Sequence, residues 1–169
     1  MPYLTKTIAT LMLLITACIA VAQEDQPDYL RYPSLPKFKI LTPDSTLYTC
    51  DGNTKSKKTI ILVFSTDCHF CKQEIDSLTA HMDQLREVRI VMATFDPLEA
   101  VRNFSKTYNL DKYPNVIIGR DLYYFFIPFY GVTQVPFTAL YSERGKLVKT
   151  FRSTASINTL TAAFSEHKE

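Results

Sequence analysis

Apolar positions along this chain follow two rhythms. Residues 60–64 are an unbroken β-branched and apolar run, the pattern of a strand buried on both faces, and 88–94 read as another apolar strand. Residues 116–118 form a shorter run of the same kind. Between them the spacing changes to threes and fours. Ile75, Leu78, Met82 and Leu85 predict a helix within 71–87, and Val101, Phe104 and Tyr108 predict another over 98–108. Before the first long run, residues 38–41 and 46–49 flank the turn Thr42-Pro43-Asp44-Ser45 and read as a hairpin. Residues 122–130 are strongly aromatic and predict a helical turn packed on the sheet and broken near Pro128. Two strands, 137–141 and 146–151, are joined by Ser142-Glu143-Arg144-Gly145, where the glycine can take positive φ. Ile157, Leu160 and Phe164 mark a closing helix.

The expected order is ββ–β–α–β–α–β–α–ββ–α. Alternating β and α predicts an α/β fold: a parallel core sheet with helices on both faces, made mixed by an antiparallel hairpin. Apolar residues make up 46% of the chain, with 11 Phe and 10 Tyr, enough for one packed domain. The net charge is only +2 and no block of like charges occurs, so nucleic acid is not expected as a partner.

The N-terminus has its own pattern. Lys6 is the one charge in residues 1–22, followed by an apolar stretch over 8–20. This is the layout of a signal peptide, with Ala20-Val21-Ala22 as a small-x-small cleavage pattern. A second reading stands beside it: Ile15-Thr16-Ala17-Cys18 resembles a bacterial lipobox, with Cys18 lipidated. Both predict export. Residues 23–36, with Pro27, Pro33 and Pro36, read as a linker, and 37–169 as the domain.

Cys68-His69-Phe70-Cys71 lies between the 60–64 strand and the first helix. Two cysteines at this junction can form a short-loop disulfide and reopen it. The helix start offers unpaired N–H groups and the positive dipole end to a thiolate on Cys68. Cys71, one turn on, would face inward and resolve a mixed disulfide. A zinc site needs two further ligands, and neither a second C-x-x-C nor a paired histidine occurs. No cofactor or metal is expected beyond the redox-active Cys68–Cys71 disulfide itself. Outside the cytosol such a pair can rest oxidised, so a reducing role calls for an electron donor.

Three blocks resemble one family. They are the strand-then-cysteine block of residues 62–74, the segment Gln134-Val135-Pro136-Phe137-Thr138 before a strand, and the hairpin Glu143-Arg144-Gly145-Lys146. Together they resemble thioredoxin-fold proteins, closest to the exported TlpA/ResA-like thiol-disulfide oxidoreductases, over residues 35–165. The β–α unit before Val116 is similar to the insertion of that branch.

The resemblance implies a cis-proline loop at Pro136 facing the cysteines, with the Val135 backbone pairing with an extended substrate. It also implies that Glu74 moves protons during exchange. The partners it implies are protein disulfides or dithiols, together with a membrane electron donor or acceptor. The place it implies is the periplasm or cell envelope of a bacterium, and reduction is the first choice of direction, oxidation the second. Two positions depart from the family's pattern and bear on redox potential. Phe70 stands where proline is frequent, and Asp67 stands where tryptophan is usual. Asp67 can cap the helix, although its charge opposes a thiolate.

Several residues keep two readings. His69 is a thiolate-stabilising cation or an exposed spacer. Glu74 is a proton carrier or a solvated helix residue. Cys50, before Asp51-Gly52 in an expected turn, is a buried free thiol before it is a third redox partner. The cluster Tyr123-Tyr124-Phe125-Phe126 fills the core before it lines a substrate groove. Two other functions stand as rivals. Ser65, three residues before Cys68, matches part of a peroxiredoxin pattern whose proline position holds Ile61. A copper-handling module on the same fold is the non-enzymatic rival, while haem attachment fails because Lys72 follows Cys71.

Overall fold

A computed structural model describes residues 26–167. The signal-peptide and lipidation readings, including Cys18, lie outside the described residues. Strand β1 (Lys37–Leu41) and β2 (Leu47–Asp51) form the expected hairpin. Strand β3 (Thr59–Val63) is buried at all five positions. It pairs in parallel with β4 (Arg89–Thr94) and antiparallel with β6 (Phe137–Tyr141). Strand β5 (Val116–Arg120) extends the parallel set, and β7 (Leu147–Phe151) closes the far edge. The seven strands run in the order β2-β1-β5-β4-β3-β6-β7. The α/β class and the mixed sheet are as the pattern predicts.

Alternation along β3 divides the core in two. Ile60, Leu62 and Phe64 face one side, with α2 (His69–Ala80), α3 (Leu98–Thr107) and α5 (Ile157–Glu166). Ile61 and Val63 face the other, with α1 (Asp28–Arg31) and α4 (Phe126–Tyr130). A strand without a polar face has to be covered twice, and the helices on both faces supply that cover.

Four elements differ from expectation. The segment read as a linker is folded onto the domain. Tyr29 of α1 is buried, its ring 5.6 Å from Tyr130 and 6.3 Å from Phe137, and the Leu35 N–H bonds to Gly145 O at 2.8 Å. Proline spacing hid one aromatic anchor. The helix expected over 71–87 starts at His69 and stops at Ala80. The His81 Nδ1 lies 2.8 Å from Ser77 O, and Met82–Leu85 continues as a 3-10 turn. Pro128 does not break α4, because it sits in the first turn, where its missing N–H has no helical partner to lose. Gly131, at φ 57°, ends that helix instead. Cys50 lies inside β2 rather than in a turn, buried on the α4 side of the sheet.

The α4 side holds one buried polar pair. The hydroxyls of Tyr130 and Tyr141 lie 2.7 Å apart, and both residues are fully buried. Tyr130→Phe leaves the Tyr141 hydroxyl buried without this partner, at an expected cost of about 1–3 kcal/mol in urea unfolding. The double variant with Tyr141→Phe should cost less than the two single losses added together. Strict additivity would show that the pair does not act as a unit.

Candidate functional site

The site begins where β3 runs out. Past Phe64 the chain is held by Asp96, from the loop after β4. Its Oδ2 accepts the Thr66 N–H at 2.6 Å, the Thr66 hydroxyl at 2.8 Å and the Ser65 hydroxyl at 3.1 Å. Partial burial opposes ionisation of Asp96, but these donors outweigh it and hold the carboxyl below its ordinary range. The next turn places Cys68 at the N-cap of α2, with φ −75° and ψ 117°. Its Sγ accepts the Cys71 N–H at 3.1 Å, so the sulfur takes the capping role proposed for Asp67, which is exposed.

Cys68 is half-buried and Cys71 is fully buried. Both are thiols in this structure, as is Cys50. The Cys68 thiol points at the Val135 carbonyl oxygen, 3.7 Å away. Val135–Pro136 is a cis peptide bond, as the family likeness implied. The pair is therefore bracketed by the start of α2 and the loop before β6. Burial, with the adjoining Cys68 sulfur adding to it, pushes the Cys71 thiol up to about 12.

Glu74 lies three residues beyond Cys71 on the same inward face and has no exposed surface. Thr138 of β6 donates its hydroxyl to Glu74 Oε1 at 2.8 Å, while Oε2 has no hydrogen-bond partner. Burial pushes the Glu74 carboxyl up to about 7, and the Thr138 bond and the Ala155 amide only partly oppose it. The solvated-helix reading of Glu74 is corrected: a carboxyl here stands inside the protein beneath the cysteines.

The remaining candidates separate. His69 is exposed, its ring 5.7 Å from that of Phe70. Phe70 is 61% exposed beside Cys68. Cys50 belongs to the α4-side core, away from the pair, and burial pushes its thiol up. The aromatic cluster divides: Phe126 is core, Phe125 half-buried, and Tyr123 and Tyr124 are outside. Among the described residues, no group of three or more His, Cys, Asp or Glu is placed to hold a metal ion. No helix among them is long and apolar enough to cross a membrane.

Sequence reasoning missed Asp96 and Thr138 as parts of the site. Asp96-Pro97 was legible as a strand end, which is where the loops of a parallel sheet gather. Thr138 carried a signal as well, a hydroxyl in an otherwise apolar strand two residues past Pro136.

No protein-family model matches the chain, and no curated protein matches it by sequence. Solved structures do match. A peroxiredoxin-like protein from Aquifex aeolicus superposes with a TM-score of 0.65 at 18% identity, over 79% of this chain and 84% of that one. A secreted Mycobacterium tuberculosis disulfide oxidoreductase homologous to E. coli DsbE gives 0.64 at 19%, over 77% and 96%. An exposed lipoprotein thioredoxin from Streptococcus pneumoniae gives 0.59 at 18%, over 78% and 100%. With this sheet order, the cysteine pair at the start of α2 and the cis-proline loop against it, the chain has the thioredoxin fold.

Proposed function

We propose that the protein is an exported thiol-disulfide oxidoreductase that reduces protein disulfides in the bacterial cell envelope. One observation carries this reading. A half-exposed sulfur, Cys68, caps a helix N-terminus three residues before a buried one, Cys71, and faces the backbone of the Val135–Pro136 loop. That asymmetry divides the labour of exchange. The Cys68 thiolate attacks a substrate disulfide, one substrate thiolate leaves, and a mixed disulfide forms. The Cys71 thiolate then attacks Cys68 Sγ, and the second substrate thiolate leaves. The two electrons come from the cysteine pair, which ends as a Cys68–Cys71 disulfide.

Burial makes the second step demand a base, because Cys71 holds its proton tightly. Glu74, one helical turn away with a free Oε2, is the group we assign to take it. Val135 and Pro136 form the edge on which an extended substrate is laid, and His69 and Phe70 tune or border the nucleophile. A membrane electron donor would restore the dithiol. Export is supported by the pattern of residues 1–22 and by the secreted and lipoprotein neighbours of the same fold. Lipid attachment at Cys18 belongs to the same reading. Peroxidase chemistry gains nothing from the geometry, since the Ser65 hydroxyl is committed to Asp96.

Oxidation of the purified protein should block two thiols against alkylation and leave Cys50 free. A bridge from Cys50 to either partner would overturn these roles. Cys68→Ser should abolish reduction of a protein disulfide, whereas Cys71→Ser should attack once and accumulate as a mixed disulfide visible on a non-reducing gel. Equal residual turnover in both variants would contradict the division of labour.

Glu74 also ties stability to pH. Its folded pKa is raised, from 4.5 to about 7, so its stabilising effect is full below about 4.5 and is lost as pH rises through 7. Unfolding measured from pH 4.5 to 8 should show wild type losing on the order of 3 kcal/mol relative to Glu74→Gln across that window. A pH-independent difference would show that Glu74 is ionised throughout. In exchange, Glu74→Gln should flatten the pH dependence of mixed-disulfide resolution near 7 and leave the first attack less affected.

A further inference from the structure

Tyr123 and Tyr124 stand 66% and 56% exposed on a loop that is otherwise tightly held. Asp121, at the end of β5, is buried, and its own N–H bonds to Thr94 O at 2.7 Å. Its carboxylate accepts the Tyr123 N–H at 3.2 Å and the Phe126 N–H at 3.0 Å, so both arms brace the loop from inside. Burial pushes the Asp121 carboxyl up against these donors, a cost that a casual surface loop would not carry.

Tyr124 adopts φ 52°, the left-handed region that a bulky residue rarely enters. Such an outlier persists only where the surroundings impose it, and it motivates a functional hypothesis. Here it lays the Tyr124 ring flat on Phe95, with centroids 5.8 Å apart and planes 5° from parallel. Phe95 is joined to Asp96, which holds Ser65 and Thr66 just ahead of Cys68. The loop that displays the two tyrosines and the loop that aims the nucleophile therefore share one frame.

We propose that Tyr123 and Tyr124, backed by Phe95, are specificity-determining residues that receive an aromatic or aliphatic side chain of an extended protein substrate, a few residues from its reacting cysteine. This rests on the proposed exchange function. The tyrosines carry no charge, and the exposed side chains beside them, Leu122 and Ile127, are apolar, so the ledge favours uncharged side chains. Exposed aromatic rings also lose little rotamer freedom on binding. The loops after β3 and β5 leave the same end of the sheet two strand spacings apart, about 10 Å, so a few extended substrate residues at ~3.3 Å each separate sulfur and ledge.

The test uses pre-reduced protein and two peptides, each with one cysteine carried as a mixed disulfide with 2-nitro-5-thiobenzoate. One peptide has phenylalanine five residues from that cysteine, and the other has serine there. Cys68 attacks the peptide sulfur and the coloured thiolate leaves; Cys71 then displaces the peptide thiol, and the protein ends as its disulfide. The wild-type protein should prefer the phenylalanine peptide about tenfold in the second-order rate constant for release of the coloured thiolate. In Tyr123→Ser/Tyr124→Asn, where asparagine tolerates the left-handed backbone, that ratio should fall towards one. The ratio is internal to each protein, so a change in the active fraction does not alter it. Equal rates for the two peptides with wild type overturn the proposal and leave the exchange function standing. Equal rates joined to tyrosine-dependent binding of phosphatidylcholine vesicles would assign the ledge to a membrane surface instead. Failure with both peptides would overturn the exchange function together with the ledge.

Discussion

Strand β3 is buried along its length and on both faces, so its side chains need cover on each side while β4 and β6 satisfy its backbone. That double demand places α2, α3 and α5 on one face and α1 and α4 on the other. It also decides where chemistry can occur. A strand with no exposed surface can deliver a reactive group only at its end, and β3 ends at the loop that leads to Cys68. Parallel neighbours finish at the same level, so the loops after β3, β4 and β5 meet there.

Three carboxylates organise that end, and their surroundings push them apart. Asp96 accepts three donors and is held ionised, which suits a group that fixes a loop. Asp121 is buried and carries the backbone amides of the tyrosine loop. Glu74 has the Thr138 hydroxyl and the Ala155 amide as donors, a free Oε2 and no exposed surface, and burial prevails, raising its carboxyl to about 7. The same functional group is thus lowered at Asp96 and raised at Asp121 and Glu74, according to whether its donors offset burial.

The two sulfurs divide by the same logic. Cys68 sits where a helix start has N–H groups to spare, and it takes one of them. Cys71, a turn inside, is buried among apolar neighbours beside a sulfur and a buried carboxyl, which favour its protonated form and outweigh the opposing Ser65 amide. The two sulfurs thus differ by depth along one helical turn, with no difference in chemistry between the residues themselves.

Much of this was legible in the chain. The unbroken run 60–64 implied a doubly covered strand, and threefold and fourfold spacing implied α2 and α3, because burial imposes those periods directly on sequence. The C-x-x-C spacing placed two sulfurs one turn apart, and the likeness around Pro136 implied a loop opposite them. What the chain could not disclose were relations across long separations. Thr138 meets Glu74 across 64 positions, and Asp96 meets Thr66 across 30. Nothing local to Glu74 shows that water is excluded from it, and nothing near Tyr29 shows that its proline-rich segment has an aromatic pocket to fill. The tyrosine cluster was legible as aromatic but not as divided, since the rings that meet Phe126 and Tyr124, those of Phe38 and Phe95, come from distant parts of the chain. Sequence by itself determined which elements form and which atoms can react, because both are properties of neighbouring residues. Protonation, exposure and aim were decided only by tertiary structure, because each depends on which distant groups arrive to exclude water or donate a hydrogen bond.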